Sequence, residues 1–236
     1  MRPFGPVSRR TFLISGSAVA LAGAAGCASA VPESLDDGPW GWTRQAGPLE
    51  LGVTHTEYSL APADPVGARA RGTAVLARSG RWQAQHLMGW GALNPEPAPG
   101  ADDWSSLAPR LTLVAASGGR AVLTVVAAPD WMKGGAAGTT DFSRIEVAPL
   151  PEHHDDLASL AARAVARYPG IGAVQVWNEM KGYFDAARGG WDTATYTDLY
   201  RRVRDAVKAV GPEVLVGGPY VPLDLWADDD RVPESD

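Results

Sequence analysis

Apolar and polar positions alternate between two periods from residue 49 onward. Residues 49–56 and 83–90 read as strands, with helices over 65–77 and 105–116, the second closed by Gly118-Gly119. Residues 121–128 form a β-branched run that ends at Pro129. Leu157, Leu160, Ala161, Ala164, Val165 and Tyr168 then recur at helical spacing, with Asp155 and Asp156 in the first turn, where carboxylates suit the helix dipole. After the turn pair Pro169-Gly170, the apolar run 171–175 reads as a buried strand. Tyr196, Leu199, Tyr200, Val203, Ala206, Val207 and Val210 form the clearest helical stripe, stopped by Gly211-Pro212. A short strand over 214–217 leads into Gly218-Pro219-Tyr220. Five strands alternating with four helices predict an α/β fold built from parallel βαβ units.

Each predicted strand ends in chemistry. The first ends in Thr54-His55-Thr56-Glu57-Tyr58, and the second gives His86, Trp90 and Asn94-Pro95-Glu96-Pro97. The third gives Pro129-Asp130-Trp131-Met132-Lys133, the fourth Trp177-Asn178-Glu179 and the fifth Gly218-Pro219-Tyr220. In parallel barrels catalytic groups sit at the C-terminal ends of strands. Asn178-Glu179 is the most informative of the set. A carboxyl partly buried against aromatic surface keeps a proton more readily, and the adjacent amide can bond a substrate hydroxyl. Trp131, after a strand end and a Pro-Asp turn, is the best candidate for a stacking platform. His153-His154-Asp155-Asp156 has metal-ligand residue types, but at a helix start it reads as a solvated cap.

The stretch from Val176 to Phe184 resembles the acid/base motif of clan A glycoside hydrolases, and the order of strand ends over residues 50–221, including Val216-Gly217-Gly218-Pro219, looks like the N-terminal part of a family 39 enzyme. That resemblance implies a (β/α)8 TIM barrel, incomplete here. A full barrel has eight units in about 250 residues. It implies retaining hydrolysis of O-glycosidic bonds in oligo- or polysaccharides, by two carboxylates about 5–5.5 Å apart. Glu179 would be the acid/base and Asn178 would contact the hydroxyl beside the reacting carbon. His55, His86, Trp90 and Tyr220 would line the sugar site with Trp131. The clan's nucleophile ends the seventh strand, and none of Glu57, Glu96 or Asp130 lies in that strand order. The expectation is therefore a truncated or split reading frame. No metal or organic cofactor is required. A non-catalytic carbohydrate-binding surface lipoprotein, or an inactive hydrolase, is the alternative, and a second carboxylate at retaining distance from Glu179 would separate the two.

The N-terminal residues change the picture of where the chain works. Ser8-Arg9-Arg10-Thr11-Phe12-Leu13 matches the twin-arginine export pattern, and no acidic residue precedes Glu33. The Ala/Gly-rich stretch after it is shorter than the roughly 20 apolar residues of a membrane span. Two processing routes stay open: cleavage after Ala28-Ser29-Ala30, or lipid attachment at Cys27, which follows Ala24-Ala25-Gly26 and is the chain's single cysteine. One cysteine also excludes an internal disulfide. The expected organisation is a signal over 1–30, a linker over 31–47 holding Trp40 and Trp42, a partial barrel over 48–226 and an acidic tail over 227–236. Net charge is −6, more negative without the signal's arginines, which gives no support to nucleic-acid binding. A carbohydrate is the expected partner, with the membrane touched only through lipid at Cys27.

Overall fold

The computed structural model describes residues 50, 52–54, 60 and 63–220. Its centre is a parallel sheet of strands β1 (Gly52–Thr54), β2 (Trp82–His86), β3 (Arg120–Val125), β4 (Ile171–Val176) and β7 (Leu215–Gly217), in the spatial order β1-β2-β3-β4-β7. Helices α1 (Val66–Ser79), α2 (Leu107–Ala116), α3 (His154–Arg167) and α4 (Thr193–Val210) connect them. A small antiparallel pair, β5 (Phe184–Asp185) and β6 (Gly190–Trp191), interrupts the passage from β4 to α4. The architecture is an α/β sheet of βα units, an incomplete (β/α) barrel of five strands and four helices among the described residues.

Register explains how the sheet divides its faces. Ala84 pairs with Val122, Val122 with Ala173, and Ala173 with Leu215, so these side chains form one row on the inner face. His86, Thr124, Gln175 and Gly217 form the next row toward the strand ends. Both rows are more open than the opposite face, where Leu123, Val125, Val174 and Val176 are buried under helices. That outer face also buries Gln83 and Gln85, which a strand pattern would send to water. Gln83 Nε2 donates to Ser117 Oγ at 2.8 Å and Gln85 Oε1 accepts from Arg110 Nε at 2.6 Å, so α2 and its C-cap supply a partner to each amide.

The core lies between the sheet and the pair α3/α4. Leu157, Leu160, Ala161, Ala164 and Val165 of α3 meet Leu199, Val203 and Val207 of α4, all buried. Helix α4 starts where Asp192 accepts from Thr195 N at 3.1 Å and ends at Gly211. The cap predicted at His153-His154 is half solvated. His153 Nδ1 lies 2.7 Å from Asp156 Oδ2 at the helix start, but His154 is fully buried and bonds Asp198 Oδ2 of α4 at 2.8 Å. A partner 44 residues away turns an expected surface cap into an inter-helix tie.

Strand β3 spans Arg120–Val125 against the predicted 121–128, β2 is also shorter than predicted, and the β5–β6 pair has no counterpart among the sequence expectations. Strand β2 ends at His86, short of residue 90, because Gly89 (φ 87°), Trp90 (φ 49°) and Gly91 (φ 87°) turn the chain through left-handed conformations. The β5–β6 pair has two-residue strands, too short to give a period.

Candidate active site

A cavity of about 330 Å³ opens at the C-terminal ends of the parallel strands. Its walls are Thr54, Ala84, His86, Trp90, Arg110, Thr124, Gln175, Asn178, Glu179 and Tyr220. Ala84 of the lower inner row lines it, and the upper row supplies the polar rim of His86, Thr124 and Gln175. Asn178 and Glu179 follow β4 directly, at the mouth.

The backbone after β4 is held in an unusual path. Trp177 (φ 66°), Glu179 (φ 54°) and Met180 (φ 53°) are non-glycine residues in the left-handed region, where a bulky side chain costs of order 1–3 kcal/mol. The surroundings fix them there. Trp177 is 1 % exposed, its N–H donates to Val125 O at 2.8 Å, and its indole N–H donates to Lys181 O at 2.7 Å. Asn178 bridges to Tyr220 in parallel register, and Glu179 N donates to Tyr220 O at 2.6 Å. Behind the loop runs an edge-to-face series of rings, Trp177–Tyr183 at 5.3 Å and Tyr183–Tyr196 at 5.5 Å. Burial pushes the Tyr183 and Tyr196 hydroxyls well above their ordinary range, so both stay neutral.

Around Glu179 the charges are specific. Its side chain is 24 % exposed, and Oε2 lies 3.5 Å from Lys181 Nζ. Lys181 also reaches Glu146 Oε1 at 3.2 Å, and that hydrogen bond is the main cause holding its ammonium above the usual lysine range. A second cavity of about 80 Å³, lined by Trp90, Ile145, Glu146, Trp177, Glu179 and Lys181 among others, lies on this side. Burial and the Arg110 guanidinium bring His86 down to about 4, so its imidazole is neutral near neutral pH. Its ring meets Trp90 edge-on at 6.1 Å. A neutral imidazole, an amide and a carboxyl around one cavity can bond hydroxyls and move a proton.

The structure brings together Asn178, Glu179, His86, Trp90 and Tyr220. Trp131 is directed elsewhere: its indole N–H donates to Glu96 O at 2.9 Å and its ring packs edge-on against His153 at 5.2 Å, outside the residues that line either cavity. A Pro-Asp turn starts the one-turn helix Asp130–Lys133 and carries the indole toward α3. His55 and Cys27 lie outside the described residues. Glu96 and Asp130 are structural: Glu96 pairs with Arg163 at 2.8 Å, and Asp130 with Lys133 at 3.3 Å. Arg110, Thr124, Gln175 and Lys181 were not foreseen as wall residues. The alternation of residues 121–125 and 171–175 carries the signal for Thr124 and Gln175, whereas Arg110 and Lys181 depend on tertiary contacts. Among the described residues no group of three or more His, Cys, Asp or Glu side chains is placed to hold a metal ion.

The fold is similar to part of a (β/α) barrel of known structure. A family 39 glycoside hydrolase from the gut symbiont Bacteroides cellulosilyticus WH2 superposes with a TM-score of 0.50 at 19 % identity, over 72 % of this chain and 31 % of that one. The family 39 enzyme from Xanthomonas axonopodis pv. citri gives 0.49 at 20 % identity, over 73 % and 35 %. A psychrophilic family 10 endo-β-1,4-xylanase gives 0.47 at 15 % identity, over 70 % and 51 %. The chain thus spans between about a third and a half of the length of these structures. Neither a protein-family model nor a curated protein sequence matches it.

Proposed function

We propose that this chain is part of a retaining O-glycoside hydrolase acting on oligo- or polysaccharides, with Glu179 as acid/base and Asn178 bonding the hydroxyl beside the reacting carbon. One observation carries the reading: an Asn-Glu pair in a strained, pinned loop at the C-terminal mouth of a parallel sheet, facing a cavity rimmed by His86, Trp90 and Tyr220. Glu179 would protonate the glycosidic oxygen as the bond breaks and later take a proton from water. His86, neutral at working pH, would bond a sugar hydroxyl, and Trp90, 65 % exposed, offers a face for stacking. The test is turnover of a panel of aryl glycosides by the full chain and by Glu179→Gln, which keeps shape but cannot donate the proton. A loss of at least ~100-fold is expected for the variant. Equal turnover by the two proteins sinks the acid role.

A second reading has its own support. Among the described residues that line the larger cavity, Glu179 is the sole carboxylate, whereas a retaining mechanism divides its work between two. A non-catalytic carbohydrate-binding protein fits that set. Oligosaccharide binding, measured by calorimetry, with no turnover in any pH condition would favour it.

The same proposal takes the chain out of the cytoplasm by the twin-arginine route, with lipid at Cys27 or cleavage after Ala30. Among the described residues no helix is long and apolar enough to cross a membrane. Export unchanged by replacing Arg9 and Arg10 with Lys would overturn the route, and lipid labelling unchanged by Cys27→Ser would overturn the anchor.

A further inference from the structure

We propose that Lys181 is a positioning residue for Glu179, shared with Glu146 so that the loop after β3 governs the charge beside the candidate acid. The inference rests on the reading of Glu179 given above and extends it to two residues that touch no reacting atom.

The ammonium lies 3.2 Å from Glu146 Oε1 and 3.5 Å from Glu179 Oε2, with side-chain exposures of 31 % for Lys181 and 24 % for Glu179. Its backbone is anchored to the core, because the buried Trp177 indole donates to Lys181 O. The neighbouring Gly182 (φ 86°) lies flat on the loop after β3, where any Cβ would overlap the Glu146 carbonyl. Glu146 is held from the other side. Asp130 Oδ2 accepts from Asp141 N at 2.6 Å, and Lys133 Nζ donates to Arg144 O at 2.9 Å, which fixes the chain just before it. The remaining ionisable groups at Glu179 are His86 at the end of β2, Arg110 of α2 and Tyr220 beyond β7, all across the larger cavity.

One ammonium between two carboxylates has a simple consequence. When Glu179 carries its proton, Lys181 belongs to Glu146. When Glu179 is ionised, the ammonium is shared and offsets the new charge. Coupling between two sites is reciprocal, so the effect of Lys181 on the Glu179 proton equals that of Glu179 on the Lys181 proton. The raised proton affinity of Lys181, due first to Glu146 and less to Glu179, fits that ordering.

The reciprocal makes a test that needs no substrate. The chain holds only three lysines, Lys133, Lys181 and Lys208, so 13Cε-lysine labelling of the full chain gives three titration curves by NMR. Lys181→Arg assigns the curve. Glu146→Gln should lower the Lys181 midpoint, and Glu179→Gln should lower it by a smaller but resolvable amount. The two together should lower it further than either. An unmoved Lys181 curve in Glu179→Gln overturns the sharing. If the curve moves as stated in a chain that cleaves no glycoside, the sharing stands and the hydrolase reading fails. If cleavage depends on Glu179 while the curve stays put, the hydrolase reading stands and the sharing fails.

Discussion

The pair Asp130–Lys133 is the point at which the loop after β3 is most open to perturbation. The two groups are 3.3 Å apart with side-chain exposures of 5 % and 0 %. Replacing Asp130 with Ala removes the counter-charge, the acceptor for Asp141 N and a weaker contact from Thr139. Lys133 is then left buried against a single described acceptor, Arg144 O. Breaking a buried pair from one side costs about 3–5 kcal/mol, because the orphaned charge keeps its desolvation penalty. Against a total of roughly 5–15 kcal/mol, that is a large fraction. Urea unfolding followed by tryptophan fluorescence should show the loss as a lower midpoint at unchanged slope. Asp130→Ala with Lys133→Met should recover most of it, since no charge remains to desolvate. The pH dependence adds a signature. Burial lowers the proton affinity of Lys133 and Asp130 opposes that lowering. Without Asp130 the unfolded state binds the proton still more tightly than the folded one, so stability rises with pH toward the lysine range more steeply than in the parent. A cost below ~1 kcal/mol, or a double variant no better than the single one, would refute the argument.

Three further outcomes follow from the same geometry. His86 titrates at about 4 in the folded chain and near 6.5 unfolded, so its contribution is complete above 6.5 and is lost as pH falls from there toward 4; His86→Gln should flatten a slope worth of order 2–3 kcal/mol in urea midpoints taken across that range. Gly182→Ala sets a methyl against the Glu146 carbonyl in a left-handed backbone and should cost more than ~2 kcal/mol in thermal unfolding while returning the Lys181 midpoint toward its ordinary range. Leu199→Ala empties a fully buried position where α4 meets α3 and should lose about 2–5 kcal/mol by denaturant titration.

Sequence periodicity carried most of the fold because helices α3 and α4 and strands β3 and β4 each have one unambiguous apolar face. It also put Asn178 and Glu179 just past the end of a buried parallel strand, where the structure has them, whereas their roles rest on the resemblance alone. It failed where a polar residue's partner is distant in sequence. Gln83 and Gln85 are buried because α2 brings Ser117 and Arg110 over them. His154 is buried because Asp198 waits on α4. Trp131 leaves the cavity because the Glu96 carbonyl captures its indole N–H. Lys181, beside Glu179, is also tied to Glu146, 35 residues earlier. No local pattern contains those pairings.

Glu179 sits after an interior strand, yet its backbone N–H is bonded to Tyr220, which follows the outermost described strand on that side. Strand β7 is three residues long and, among the described residues, pairs only with β4. Its inward-facing Leu215 is 60 % exposed, beside an open hollow lined by Val122, Ala173 and Val216. Edge strands with one hydrogen-bonded neighbour are the first elements of a sheet to open. Opening β7 would release the Tyr220 carbonyl and remove one of the two supports that hold Glu179 in its left-handed conformation. The other, through the buried Trp177 and the partly exposed pair Lys181–Glu146, does not depend on the edge. Glu179 is therefore fixed from the β3 side and only leaned against from the β7 side. Among the described residues, the β7 side reaches the site through Tyr220, which accepts from Glu179 N, bridges to Asn178 and lines the cavity.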